Sequence, residues 1–335
     1  MDRVKIGNRW IGEGEPCFII AEAGSNHSGK IERALQLIDV AVEAGADAVK
    51  FQIYSADTLY SENSAAFPVI KEIETPRAWL GRLSDYAREK GVVFFATPFD
   101  HEAVDQLEQV GVPCFKWASL ELVNHPLLRY AAAKRKPMIL STGVSDLADI
   151  QEAVNVVYAE GNREILLLHC ASLFEYPQKP RQVNLRMIDT MRAAFGVPVG
   201  LSDHTLSTVI PAAAAGRGAC IIEKHVTLDR RLPGPDHCFA MEPREFQDMV
   251  KAIREVEASL GSPEKKAIAE EEGVLQQRPS IIARVDIPAG AVITETMVIT
   301  KRPGFGIAPK FLDVVIGRKA RKEIRKGEGV TWDSI

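Results

Sequence analysis

The chain predicts an α/β protein, a TIM-type (β/α)8 barrel followed by a small β-rich domain, and three observations carry that expectation. Eight short apolar or β-branched runs alternate with longer stretches whose apolar residues fall at helical spacing. Glycines close several of the helical stretches just before the next run, as Gly45, Gly91, Gly111 and Gly196 do. From about Arg278 the alternation gives way to short strand-like pieces divided by proline and glycine turns.

In order, the predicted barrel strands are Cys17–Ala21, Ala48–Gln52, Val92–Ala96, Cys114–Trp117, Met138–Ser141, Ile165–His169, Val197–Leu201 and Cys220–Glu223. The helical stretches between them are Ile31–Ala44, Arg77–Lys90, His101–Val110, Pro126–Lys134, Asp146–Ala159, Leu185–Phe195 and Thr208–Ala215, and Pro243–Leu260 closes the set. Continuous apolar strands in repeated β-α units favour a closed parallel barrel. A doubly wound open sheet is the alternative, but no Gly-x-Gly-x-x-Gly follows the first strand. The barrel is assigned to residues 1–262. The charged stretch 263–277 lacks a sustained apolar face and reads as a linker. Residues 278–335 form the second domain, with strand-like pieces at Ser280–Val285, Val292–Ile293, Val298–Thr300, Ile316–Ala320 and Gly329–Thr331. A module of that size sits near the lower limit for independent stability and is expected to lean on another surface.

Composition narrows the function classes. Hydrophobic residues make up 46% and charged residues 26% of 335, with a formal net charge of −4 and no basic tract, which argues against nucleic acid as a partner. Cys17, Cys114, Cys170, Cys220 and Cys238 form no CxxC pair and read as reduced thiols of a cytoplasmic protein. The sequence shows neither a signal peptide nor an apolar run approaching the roughly 18 residues of a membrane span.

Nearly every predicted strand ends in residues fit for chemistry, and in a barrel those ends meet at one face. Glu22 follows the first strand. Lys50 and Gln52 end the second, Thr97 follows the third, and Lys116, Ser119 and Glu121 the fourth. Ser141, His169-Cys170-x-Ser172, Ser202-Asp203-His204 and Glu223-Lys224-His225 complete the ring. Two lysines with several hydroxyls suit a small dianion such as an enol phosphate, since lysine supplies charge and hydroxyls supply directed donors. Taken singly, each serine could be a helix N-cap and each lysine a surface cation. His204 and His225 end adjacent strands and could share a divalent metal; a buried hydrogen-bonded pair is the alternative, and His27 is a weaker third candidate. Glu22 and Glu121 are candidate acid-base groups, or else ion-pair partners of Lys50, Lys116 or Lys224.

The motifs IAEAGSNHSG (Ile20–Gly29), GADAVKFQ (Gly45–Gln52), ATPFD (Ala96–Asp100), FKWAS (Phe115–Ser119), STG (Ser141–Gly143), GLSDHT (Gly200–Thr205), EKHVTLD (Glu223–Asp229) and GPDH (Gly234–His237) resemble those of the sialic acid synthase family. That family spans N-acetylneuraminate synthases and their legionaminate, pseudaminate and spore-coat relatives. KRPGFGI (Lys301–Ile307) resembles its C-terminal antifreeze-like, or SAF, domain. The resemblance implies a transferase that condenses phosphoenolpyruvate with an N-acyl-mannosamine-type aldehyde or related amino sugar, giving a nonulosonic acid and phosphate. It implies phosphoenolpyruvate contacts at Lys50, Thr97, Lys116, Ser119, Ser141, Ser172 and Ser202. Roles near the sugar or the reacting centre fall to Glu22, Gln52, Glu121, Tyr176 and Asp236. His204 and His225 would hold the metal, manganese first, with magnesium or cobalt as alternatives. Arg302 would reach the sugar in a partner subunit, making a domain-swapped homodimer. One departure falls on the acceptor side: five residues rather than the usual three separate His169-Cys170 from Tyr176-Pro177, which makes Phe174 an alternative sugar contact. The loop after Gln52 also looks shorter than in the family. Three other readings remain: a Schiff-base aldolase using Lys50 or Lys116, a synthase of octulosonate or heptulosonate phosphate, and a non-catalytic sugar-binding protein.

Overall fold

The structure, a computed structural model, describes residues 3–171 and 176–335. It divides into two compact units, Met1–Gly261 and Ser262–Ile335. No helix among the described residues is long and apolar enough to cross a membrane.

The first unit opens with an antiparallel hairpin that the sequence reading missed, β1 (Val4–Ile6) and β2 (Arg9–Ile11). Gly7, at φ 58°, makes its tight turn, and Ile6 and Ile11 are fully buried. The barrel strands follow: β3 (Phe18–Gly24), β4 (Ala48–Ile53), β5 (Val93–Pro98), β6 (Phe115–Trp117), β7 (Met138–Ser141), β8 (Ile165–Cys170), β9 (Val199–Asp203) and β10 (Ile221–His225). They form one eight-stranded sheet in the order β5-β4-β3-β10-β9-β8-β7-β6, with every hydrogen-bonded pair parallel. The end strands β5 and β6 pack against each other, so the sheet curls into a near-closed barrel.

Local sequence explains the helices between the strands. Asp100 caps His101–Gln109 by accepting from the Ala103 amide at 2.8 Å, and Asp146 with Asp149 forms a capping box at Leu147–Ala159. Gly45 and Gly91, both at φ 79°, take the left-handed cap that ends Ile31–Ala44 and Leu80–Lys90. Apolar stripes on these helices meet strands buried on both faces, with Phe51, Phe95, Phe115 and Trp117 among the largest fully buried side chains. Gly200 in β9 answers a packing demand: a Cβ there would lie 2.4 Å from the Ile221 carbonyl oxygen and 2.7 Å from Leu168 Cδ2. The β4 loop carries two helices absent from the expectation, Ala56–Leu59 and Phe67–Glu72.

The second unit begins with exposed helical turns at Ala269–Glu271 and Glu272–Leu275, inside the stretch expected to be plain linker. Its strands β11 (Ser280–Ala283) and β12 (Val298–Lys301) pair antiparallel over a core that includes Ile281, Ile287, Ile293, Ile324 and Val330. The pieces expected at Val292–Ile293, Ile316–Ala320 and Gly329–Thr331 are not strands. They contribute single bridges, Val292 to Lys319 and Ile282 to Gly329. The chain turns too often there for a ladder: Leu312–Val315 is helical, and the backbone at Gly306 lies close against Ile281, Gly329 and Val330.

Candidate active site

The carboxyl ends of the barrel strands converge on a cavity of about 420 Å³. Its floor is a buried set of charges. Glu22 and Lys50 are paired positions on β3 and β4, with Lys50 Nζ 2.7 Å from the Glu22 carboxylate. Glu223 on β10 lies 3.7 Å from Lys50 and 3.4 Å from Lys116 on β6. Hydroxyls complete the set. Lys50 donates to Thr97 at 3.2 Å, Lys116 to Ser141 at 2.7 Å, and Ser202 to Glu223 at 2.8 Å. Gln52 donates to Glu22 at 2.8 Å, and Ser119 accepts from the Gly143 amide at 2.9 Å.

Burial works against every charge in this set; mutual attraction overcomes it for Glu223 and Lys50 but not for Glu22 or Lys116. Burial pushes the Glu223 carboxyl up, but Lys116, Lys50 and the Ser202 hydroxyl outweigh it and hold it at about 2. Burial works against the Lys50 charge as well, yet the Glu22 and Glu223 carboxylates raise its pKa above the ordinary range. Lys116 moves down: burial leads, and the Glu223 attraction does not offset burial and Lys50 together.

A second part of the lining is imidazole and aromatic. His204 follows β9 and His225 ends β10, their ring centroids 5.2 Å apart. Phe239, from the turn His237–Phe239, lies 4.8 Å from His225 and 5.6 Å from His204, and it stacks on Tyr176 at 4.3 Å. Burial first, then the charges of His204, Lys50, Lys224 and Lys116, keep His225 neutral, well below the usual imidazole range. Its Nδ1 is buried with no hydrogen-bond partner among the described residues, 3.8 Å from the Asp236 carboxylate. An unpartnered neutral imidazole nitrogen beside a second imidazole suits a divalent cation. No group of three or more His, Cys, Asp or Glu among the described residues is arranged to hold a metal, so water and substrate oxygens would complete the shell. Burial, reinforced by Glu22, raises the Asp236 carboxyl to about 6.

The structure thus brings Glu22, Lys50, Gln52, Thr97, Lys116 and Ser119 to one cavity with Glu121, Ser141, Tyr176, Ser202, His204, His225 and Asp236. Glu121 sits in the turn Ser119–Glu121, where its carboxylate accepts from Asn124 at 2.7 Å and forms none of the expected lysine pairs among the described residues. Ser172 and Phe174 lie outside the described residues. Arg302 belongs to the second unit and is exposed. His27, the weaker metal candidate, has both ring nitrogens occupied, one with Thr75 at 2.8 Å and the other by the Gly29 amide at 3.1 Å. Sequence reasoning missed Phe239 and Tyr54. It named Glu223 only as a strand end, although Glu223 faces both lysines.

The sequence model of the NeuB family matches residues 37–265, and that of the SAF domain matches residues 278–335. The chain belongs to the NeuB family. It is an enzyme, as are its named synthase relatives. This NeuB-family chain is 39% identical to the N,N'-diacetyllegionaminic acid synthase of Legionella pneumophila, over 97% of this chain and 96% of that one. It is 38% identical to the spore coat polysaccharide biosynthesis protein SpsE of Bacillus subtilis, over 100% and 98%. Among solved structures, the N-acetylneuraminic acid (sialic acid) synthetase of Leptospira borgpetersenii aligns with a TM-score of 0.77 at 36% identity, covering 82% of this chain and 95% of that one.

Proposed function

We propose that this NeuB-family enzyme condenses phosphoenolpyruvate with the open-chain form of an N-acyl-mannosamine-type aldehyde, or a related amino sugar, to give a nonulosonic acid and inorganic phosphate. The observation that carries the reading is the pairing, in one cavity, of a two-lysine hydroxyl cradle with two histidines on adjoining strand ends.

Phosphoenolpyruvate lies on Lys50, Thr97, Lys116, Ser119, Ser141 and Ser202, which hold its negative oxygens by charge and by directed donors. The family resemblance adds Ser172 to these contacts. C3 of phosphoenolpyruvate forms a carbon–carbon bond to the aldehyde carbon, the aldehyde oxygen gaining a proton. Water adds at C2, and phosphate leaves with the C2–O bond. Glu22 and Glu121 orient that water or move its proton. Asp236, Gln52 and Tyr176 face the acceptor hydroxyls and its acyl group. His204 and His225 would hold a divalent metal, manganese before magnesium or cobalt, whose Lewis acidity polarises the aldehyde oxygen.

The enzyme works in the cytoplasm as a homodimer, with the SAF domain of one subunit over the other's barrel and Arg302 on the acceptor. A guanidinium offers planar donors for an acyl carbonyl and hydroxyls. The test is a panel of aldehydes, N-acetylmannosamine, its 6-phosphate and 2,4-diacetamido sugars, each incubated with phosphoenolpyruvate and manganese. Phosphate release with a product mass equal to sugar plus pyruvate is expected for one of them. Phosphate release with none would overturn the reading.

A further inference from the structure

We propose that a buried ion pair behind the barrel wall, Lys224 with Asp203, positions His204 and His225 for the reaction. Three successive rungs join β9 to its neighbour β10. Ser202 pairs with Glu223 and faces the cavity, where the two side chains hydrogen-bond. The next rung, Asp203 with Lys224, alternates to the other face of the sheet. The two histidines follow, facing the cavity again. This last rung of the β9–β10 ladder therefore lies between the Ser202–Glu223 pair and the two histidines that follow it, on the side away from substrate.

Its contacts reach around His204. Lys224 Nζ lies 2.5 Å from Asp203 Oδ2 and also donates to the Thr205 carbonyl oxygen. The Asp203 carboxylate accepts from the Thr205 amide at 3.2 Å and its hydroxyl at 3.0 Å. The residues on both sides of His204 are thus tied to one ammonium, and the Gln178 amide donates to the His204 carbonyl at 3.1 Å. Lys224 is also the residue before His225, so the same charge is anchored in both histidine-bearing strands. Both side chains of the pair are 0% exposed. A fully buried ion pair brings little or no net stability over an apolar pair of the same size. Its contribution lies in fixing direction: the pair has one arrangement that satisfies it, and that arrangement sets where two imidazoles point. This inference rests on the reading of those histidines as metal ligands.

The experiment compares the full-length enzyme with Lys224→Met, with the double variant Lys224→Met/Asp203→Leu, and with His204→Ala. Manganese binding is followed by electron paramagnetic resonance, alongside melting temperature, kcat and KM. Lys224→Met alone leaves a buried carboxylate without its partner and should melt far below the wild type. The double variant should melt near the wild type, yet bind manganese and turn over roughly 10- to 100-fold less well, with KM for phosphoenolpyruvate little changed. Thr205→Val, which removes the hydroxyl that donates to Asp203 and accepts from the Ser207 amide, should show a smaller loss in the same two readouts with only a modest drop in melting temperature, and it decides the matter if the double variant does not fold. Wild-type manganese affinity and kcat in the folded double variant, or in Thr205→Val if the double variant is lost, would overturn the proposal. If His204→Ala binds manganese like the wild type, the metal reading fails instead, and positioning is then judged on kcat alone.

Discussion

Lys116 donates to Ser141, faces Glu223 at 3.4 Å and is held below the ordinary lysine range, burial being the first cause. A lowered ammonium could serve an imine or an anion, and the two have different signatures. With its nitrogen already directed at a hydroxyl and a carboxylate, we expect no pyruvate adduct on Lys116 or Lys50 after borohydride reduction and peptide mass spectrometry. Lys116→Ala should instead raise KM for phosphoenolpyruvate by roughly 30-fold or more, from loss of a buried charge contact of roughly 2 kcal/mol at least. Asp236 supplies the pH test. Its carboxyl is raised to about 6, so the ionised form that can accept from acceptor hydroxyls dominates only above that value. The acceptor kcat/KM should climb with a midpoint near pH 6, and Asp236→Asn should flatten that limb. A limb unmoved in the variant would assign the titration to another group. Much of this site was legible because lysines, hydroxyls and histidines directly after strand-like runs have one place to go in a barrel. Phe239 was not legible: its place depends on packing against Tyr176, His204 and His225, partners far apart in sequence that no local spacing links.

At the scale of elements, β9 and β10 carry both histidines, and their separation is set at Gly200. Gly200→Ala should force the strands apart or strain the backbone, costing roughly 1–3 kcal/mol by overpacking. Thermal unfolding would register the cost, and manganese titration would show weaker binding if the histidine pair widens. An unchanged melting temperature would mean that β9 yields more readily than its contacts imply. The barrel strands were readable because doubly buried apolar runs recurring between helical stretches have few alternatives, and their starts and ends shifted by at most three residues, as from Val197–Leu201 to Val199–Asp203, and not at all for Met138–Ser141. The hairpin β1–β2 was not readable, since three residues per strand give too short a period to recognise. The β4-loop helices Ala56–Leu59 and Phe67–Glu72 are likewise too brief to show an amphipathic face. In the second unit, single bridges imitate the strand pattern because an apolar residue between turns looks the same in either setting.

At the scale of the molecule, two compact units invite a test of which barrel the second one serves. Assayed at phosphoenolpyruvate well below the raised KM of Lys116→Ala, Arg302→Ala and Lys116→Ala should each show little activity alone. After dissociation and reassociation together, a swapped dimer gathers both lesions at one site and leaves the other intact, so activity returns. A mixture that stays dead although mixed dimers are verified by mass would mean that each SAF domain serves its own barrel. The floor of the site also bears on how so acidic a chain, with a formal net charge of −4, welcomes an anion. The Glu22 and Glu223 carboxyls face Lys50 and Lys116, so part of the lysine charge in the cradle is already offset. An incoming carboxylate and phosphate then need further counter-charge, and a divalent cation between the two histidines would supply it. Phosphoenolpyruvate and manganese should therefore tighten each other's binding by one common factor, as thermodynamic linkage requires. Calorimetric titration of each in the presence and absence of the other would reveal it, and an affinity for each that the other leaves unchanged would mean that the anion finds its compensation elsewhere.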